Sequence, residues 1–135
     1  MRLSPFGQAN DMQPDPDPLN TYGYLARELD RLGLAYLHVY DQTMTWIHEA
    51  DNELLRNLRR DFSRTLMLCG GFDGARAEAA LVAGSGDLIA FGKPFISNPD
   101  LVERLRTGVE LAPWDSKVFY FGGISGYLDY PTFSA

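Results

Sequence analysis

Four short apolar runs, each followed by residues at helical spacing, set the rhythm of this chain. Met1 to Pro5 reads as the end of a strand, closed by Ser4-Pro5. Residues 6 to 18 are polar and proline-rich, which predicts a surface loop. A helix is expected from Asn20 or Thr21, with Tyr22, Leu25, Leu29 and Leu32 on one face and Gly33 ending it. Leu34 to Val39 predicts a second strand, and Tyr40 to Ala50 a loop. A helix from about Asp51 to Phe62 would turn Leu54, Leu55, Leu58 and Phe62 inward, leaving Arg56, Arg59 and Arg60 as a solvated face. Thr65 to Leu68 is a short third strand. The alanine-rich helix from about Gly74 to Ala83 is broken by Gly84 and Gly86. Leu88 to Phe91, four apolar residues, are too few for a helix and suit a fourth strand buried on both faces. Beyond it, Asn98 could cap a helix from Pro99 to Thr107, with Asp100 at the positive end of its dipole.

Strand and helix thus alternate four times, the pattern of right-handed βαβ units in a parallel sheet. Four such units are half of an eight-stranded barrel, and a small open sheet is the other arrangement they permit. The 135 residues suffice for one domain, residues 1–135, with a real core. Hydrophobic residues at 45% and charged residues at 22% are the proportions of a soluble globular protein. No apolar run reaches the roughly 18 residues of a membrane span, and no apolar signal region opens the chain. The single cysteine, Cys69, excludes an internal disulfide and CxxC metal sites, and fits a reducing, cytoplasmic setting. A net charge of −6 argues against a nucleic-acid partner.

Parallel α/β proteins carry their chemistry at the C-terminal ends of strands. Those ends are Arg2 with Ser4-Pro5, His38 to Asp41, Cys69-Gly70-Gly71-Phe72, and Gly92-Lys93. The Gly-Gly and Gly-Lys turns could supply backbone N–H groups and a cation to one phosphate. Arg2 could hold an electron-rich ring edge or an anion through bidentate hydrogen bonds. Each also has a plainer reading: Gly70-Gly71 as a simple turn, Lys93 as a solvated charge, Arg2 as an ordinary terminal arginine. His38, in an apolar strand, reads as a satisfied core or barrel histidine rather than a ligand. His48 lies near Glu49 and Asp51, but no second histidine or cysteine is close enough in sequence for a metal site. Cys69 is expected to be buried and inert.

With the strand ends in hand, the chain resembles the old yellow enzyme family of flavin-dependent ene-reductases. The resemblance is carried by Arg2-Leu3-Ser4-Pro5-Phe6-Gly7, by YGYLARELDRLGLAYLHV, by the Gly-Gly-Phe turn at 70 to 72, by AFGKPFISNPDLVERL from 90 to 105, and by FYFGGISGYLDYP from 119 to 131. These motifs occur in order and cover nearly the whole chain. The resemblance implies the C-terminal half of a (β/α)8 TIM barrel that binds FMN at its mouth, is reduced by NAD(P)H and passes hydride to an activated alkene. It also implies roles for individual residues. Arg2 would contact the flavin pyrimidine edge, and Gly70, Gly71, Gly92 and Lys93 would form the phosphate site. Lys93 stands where the family has an arginine, which keeps the charge but loses the bidentate fork. Phe72 would lie by the dimethylbenzene edge and Tyr120 would line the substrate pocket. Phe121 replaces a glycine usual in that tail.

The family's substrate-anchoring His-x-x-His or His-x-x-Asn pair is absent: His38 is followed at the third place by Asp41, and His48 by Asp51. No catalytic residue is therefore assigned. Two functions of different class follow. One is an FMN-dependent oxidoreductase of this type, inactive as the isolated chain unless a complementary half supplies the missing groups. The other is a non-catalytic phosphate- or FMN-binding half-barrel. Either would leave strand edges and an apolar face open, so self-association is expected.

Overall fold

A computed structural model of the chain describes residues 1–8, 11–13, 15–48, 52–120 and 123–133. It divides into two compact units, Met1–Ala90 and Phe91–Ala135.

The first unit is built on a parallel sheet of four strands in sequence order, β1 (Arg2–Leu3), β2 (Tyr36–Tyr40), β3 (Thr65–Cys69) and β4 (Leu88–Ala90). The register places Arg2, His38, Met67 and Leu88 in one row across the sheet, and Leu3, Val39, Leu68 and Ile89 in the next. Side chains alternate between faces along a strand, so these rows separate a packed face from an open one. Leu3, Leu37, Val39, Leu66 and Leu68 are buried on the packed face. The open face carries Arg2, Tyr36, His38, Tyr40, Met67, Cys69 and Leu88, all exposed or half-buried.

Three helices belong to this unit: α1 (Pro18–Arg31), α2 (Glu53–Asp61) and α3 (Gly74–Val82). Helix α1 begins earlier than Asn20, because Asp17 accepts the Asn20 backbone N–H at 3.3 Å and Pro18 occupies the first turn. It closes as anticipated at Gly33, whose φ of +73° lets Gly33 N–H reach Asp30 O and Leu34 N–H reach Leu29 O. Leu32, at that cap, is exposed rather than part of the packed stripe, and Ala26 is buried instead. In α2, Leu54, Leu55, Leu58 and Phe62 are buried as their spacing predicts, and Asn52 caps the helix through Leu55 N–H at 2.9 Å. Asp51 lies outside the described residues. Asp73 caps α3 through Arg76 N–H at 2.8 Å.

Leu88 to Phe91 is not buried on both faces: β4 ends at Ala90, and Leu88 is 48% exposed. In this four-stranded sheet β4 is an edge, paired only with β3, and Leu88 falls in the open-face row. Arg59 is not part of a solvated face. Its guanidinium donates to Asp87 Oδ2 at 2.6 Å, and to Phe62 O and Arg64 O at 2.7 Å each. Asp87 in turn accepts Leu66 N–H at 2.7 Å, so the pair ties the end of α2 to the starts of β3 and β4.

The second unit holds α4 (Lys93–Ser97) and α5 (Leu101–Thr107). The short helix α4 follows Gly92 directly, and the helix expected from Pro99 starts instead at Leu101. Asn98 therefore does not cap α5 but ends α4. Its fully buried amide donates to Pro94 O at 2.9 Å and accepts Ala112 N–H at 2.7 Å. Asp100 precedes α5 and pairs with Arg104 at 2.8 Å, while its other oxygen accepts Phe133 N–H at 2.6 Å. Arg104 also donates to Glu110 O at 2.9 Å and to Pro131 O at 3.4 Å, which holds the tail against α5.

Candidate functional site at the C-terminal strand ends

The loop after β2 is organised by one carboxylate. Asp41 is fully buried, and its two oxygens accept the backbone N–H groups of Thr43 (2.8 Å), Met44 (3.0 Å), Thr45 (2.7 Å) and Ile47 (3.1 Å), together with the Thr43 hydroxyl (2.6 Å). Four orphan donors satisfied at one point fold residues 41–48 into a compact cap ending in a 3-10 turn, Trp46–His48. Sequence reasoning read Asp41 only as a strand-end residue. The run Asp-x-Thr-x-Thr behind a strand was the available signal, since Asp and Thr after a strand favour turns closed by their own side chains.

That cap clasps the turn after β3. Asp41 N–H donates to Cys69 O at 2.8 Å, and His48 Nε2 lies 2.8 Å from Gly70 O. A carbonyl only accepts, so Nε2 carries the hydrogen. The His48 ring meets Phe72 edge to face at 4.6 Å between centroids. Gly70 has φ +132°, and a Cβ there would lie 2.5 Å from Asp41 O. A Cβ on Gly71 would lie 2.9 Å from Met44 Cβ and 3.2 Å from His48 Nε2. Both glycines are thus required by close packing against the loop. Phe72 is buried, and beside it His48, Arg76, Ile47 and Ala80 line an open cavity of about 550 Å³.

On the open face, the Arg2 guanidinium stands 4.2 Å above the Tyr40 ring. His38, beside Arg2 in the register, is half-buried on this face, and it is not the satisfied histidine anticipated: its Nε2 is buried without a hydrogen-bond partner among the described residues. Burial lowers its pKa, and the positive charges of Arg2 and the N-terminus lower it further. Cys69 is half-buried rather than buried, and burial pushes its thiol pKa up, with Arg2 acting weakly in the other direction. Among the described residues no group of His, Cys, Asp and Glu could hold a metal ion. Glu49 and Asp51 lie outside that set.

In the second unit Gly92 precedes α4 and a Cβ there would meet no atom within 4 Å. Lys93 Nζ lies 4.7 Å from the Trp114 ring centroid. Tyr120 is 77% exposed, with its ring 6.2 Å from that of Phe119, and Phe121 lies outside the described residues. Arg2 and Lys93 share one property: each rests on an aromatic face and has no carboxylate partner among the described residues. A cation held this way is not neutralised by a carboxylate and can still pair with an external anion. Sequence reasoning found both cations but neither aromatic platform, because Tyr40 and Trp114 are remote from them along the chain.

A parallel sheet with alternating helices, ending in glycine turns and in cations without carboxylate partners among the described residues, defines a protein of the α/β class. The profile of the NADH:flavin oxidoreductase / NADH oxidase family matches residues 1–112, and the chain belongs to that family. The putative 12-oxophytodienoate reductase 12 of Oryza sativa subsp. japonica is 34% identical, over 97% of this chain and 34% of its own length. Morphinone reductase in complex with tetrahydroNAD superposes with a TM-score of 0.88 at 41% identity, covering 98% of this chain and 35% of that protein. The old yellow enzyme from Trypanosoma cruzi gives a TM-score of 0.86 at 29% identity, covering 98% of this chain and 34% of that one. The chain therefore spans about a third of the length of these relatives, and its strands and helices are part of an old-yellow-enzyme-type barrel.

Proposed function

We propose that this chain forms part of the flavin site of an old-yellow-enzyme-type oxidoreductase. FMN is the cofactor, NAD(P)H the reductant, and activated alkenes the substrates. The observation that carries this reading is the pair of carboxylate-free cations on aromatic platforms, Arg2 and Lys93, at strand ends of a family member. Bound FMN would supply hydride chemistry; the chain's own residues supply position and charge. In the first unit Arg2 would donate to the oxygens of the flavin pyrimidine edge, Gly70 and Gly71 would offer N–H groups to the phosphate, and Phe72 would stand at the dimethylbenzene edge. In the second unit Gly92, free of any contact a Cβ would make, and Lys93 would serve the phosphate, and Tyr120 the substrate. Residues 1–135 would act together as one cytoplasmic domain. The row of half-buried side chains on the open sheet face would be the inner wall of the barrel.

A second reading, binding without catalysis by the 135-residue chain alone, is favoured by one observation. Of its two histidines, His48 is committed to Gly70 O and His38 Nε2 has no hydrogen-bond partner among the described residues, so neither forms a His-x-x-His or His-x-x-Asn pair. The chain by itself would then bind FMN weakly, reduce no enone, and self-associate through the outer edges of β1 and β4. Purified chain titrated with FMN and followed by flavin fluorescence tests the site: Arg2→Ala and Lys93→Ala should each weaken binding, and unchanged affinity in both would refute the assignment. NADPH and an activated enone added under nitrogen test catalysis, where robust turnover would sink the second reading. Sedimentation of the same sample tests self-association, and a strict monomer would count against the open edges.

A further inference from the structure

We propose that His48 is a positioning residue: by holding the Gly70 carbonyl it aims the Gly71 N–H, and so sets the phosphate-dependent part of flavin affinity. The proposal rests on the assignment of the Gly70-Gly71 turn to the phosphate and goes beyond it to the group that controls it. His48 is not part of any motif that carried the family resemblance.

No peptide bond among the described residues is cis, so in each unit the C=O and the following N–H point in opposite directions. Two successive carbonyls of the turn are captured by the loop after β2. Cys69 O accepts Asp41 N–H at 2.8 Å, which sends the Gly70 N–H away from β2, toward the side where β4 lies. Gly70 O accepts from His48 Nε2 at 2.8 Å, which sends the Gly71 N–H away from the loop. The first carbonyl is held by backbone and needs no particular side chain. Among the described residues, the second is held by a side chain, that of His48.

Among the described residues no second donor to Gly70 O is present, and the nearby Arg76 is turned to the next carbonyl, Gly71 O, at 3.4 Å. Both glycines have positive φ, +132° and +63°, so the Gly70–Gly71 peptide can flip at little steric cost when its carbonyl is released. A flip would bury the Gly71 N–H against the loop and present a carbonyl oxygen, which repels a phosphate. His48 is itself fixed from two sides, by the edge contact with Phe72 and by the 3-10 turn that Asp41 closes. The hydrogen bond therefore has a pre-set donor, and its loss would be felt at the anion rather than at the isoalloxazine ring.

The test compares FMN with riboflavin, which lacks the phosphate, on wild-type chain, His48→Ala and His48→Gln, with affinities read by flavin fluorescence. His48→Ala should lower the FMN-to-riboflavin affinity ratio about tenfold, the worth of one hydrogen bond in a preorganised anion site, and His48→Gln, which keeps a donor, should recover most of it. A variant that merely loosened the fold would weaken both ligands alike, and that result would overturn the proposal. A wild-type ratio near one would instead overturn the phosphate assignment itself, so the two failures are distinguishable. Should His48→Ala not fold, the wild-type chain gives a separate check with inorganic phosphate. The Gly71 amide resonance should then shift more than those of Gly84 and Gly108, and an unmoved Gly71 would refute the predicted orientation.

Discussion

Gly70→Ala is the most informative single substitution. Its φ of +132° lies where only glycine is at ease, and a residue with a Cβ forced there costs about 1–3 kcal/mol. The new methyl would also stand 2.5 Å from Asp41 O and 2.9 Å from Asp41 Cβ. These neighbours cannot retreat, because Asp41 is fully buried and its carboxylate is saturated by the loop's own N–H groups. Overpacking of this kind adds about another 1–3 kcal/mol. The sum, about 2–6 kcal/mol, is a large part of the 5–15 kcal/mol that holds a typical domain. For a chain of this size it corresponds to a fall in Tm of roughly 6–24 °C. Gly92→Ala is the matched control: no atom lies within 4 Å of its would-be Cβ and its φ is −105°, so stability should change by no more than about 0.5 kcal/mol. Thermal melting by circular dichroism decides. If Gly70→Ala melted within about 2 °C of wild type, the claim that the loop after β2 rigidly backs this turn would be wrong.

Asp41→Asn replaces two acceptor oxygens by one and turns an amide donor toward backbone N–H groups, so it should cost on the order of 3 kcal/mol, read as a lower denaturant midpoint; a midpoint like that of wild type would refute the organising role. His38 has a folded-state pKa below its unfolded value, chiefly from burial, so the unfolded chain binds the proton first. Stability should fall as pH drops below the ordinary histidine value of about 6.5, and His38→Phe should flatten the profile there. Asp87 is held below the usual carboxylate range, first by Leu66 N–H and then by Arg59. Its contribution is present above about pH 4 and is lost as pH falls through the folded value, so Asp87→Asn should make the acid limb of the same profile shallower, and an unchanged limb would count against it. Cys69, its thiol pKa raised by burial, should react with iodoacetamide more slowly than free cysteine at pH 8 in mass-spectrometric time courses; equal rates would contradict that environment.

How much of this could be read in the chain depended on the range of the interactions. The alternation of strand and helix, the buried stripe Leu54, Leu55, Leu58 and Phe62, and the stop at Gly33 are local: they rest on the period of side chains and on glycine's access to positive φ. The two cations were legible because strand ends are where such folds carry charge. The misplaced features all involve partners far apart in sequence. Asn98 looked like an N-cap because its neighbours Pro99 and Asp100 suit one, yet Ala112 claims its side chain. Arg59 looked solvated because its partner Asp87 lies 28 residues away. Leu88 looked buried because an apolar run says nothing of how many strands flank it.

The candidate site divides along the same line. From the sequence alone came a βα rhythm, glycine at the turns and the presence of Arg2 and Lys93, since each is a property of a residue and its immediate neighbours. Only tertiary structure set Tyr40 under Arg2, closed Asp41 around its own loop and brought His48 to the Gly70 carbonyl. Those depend on which strands lie side by side, and parallel pairing joins residues some 30 positions apart whose contact no local pattern encodes.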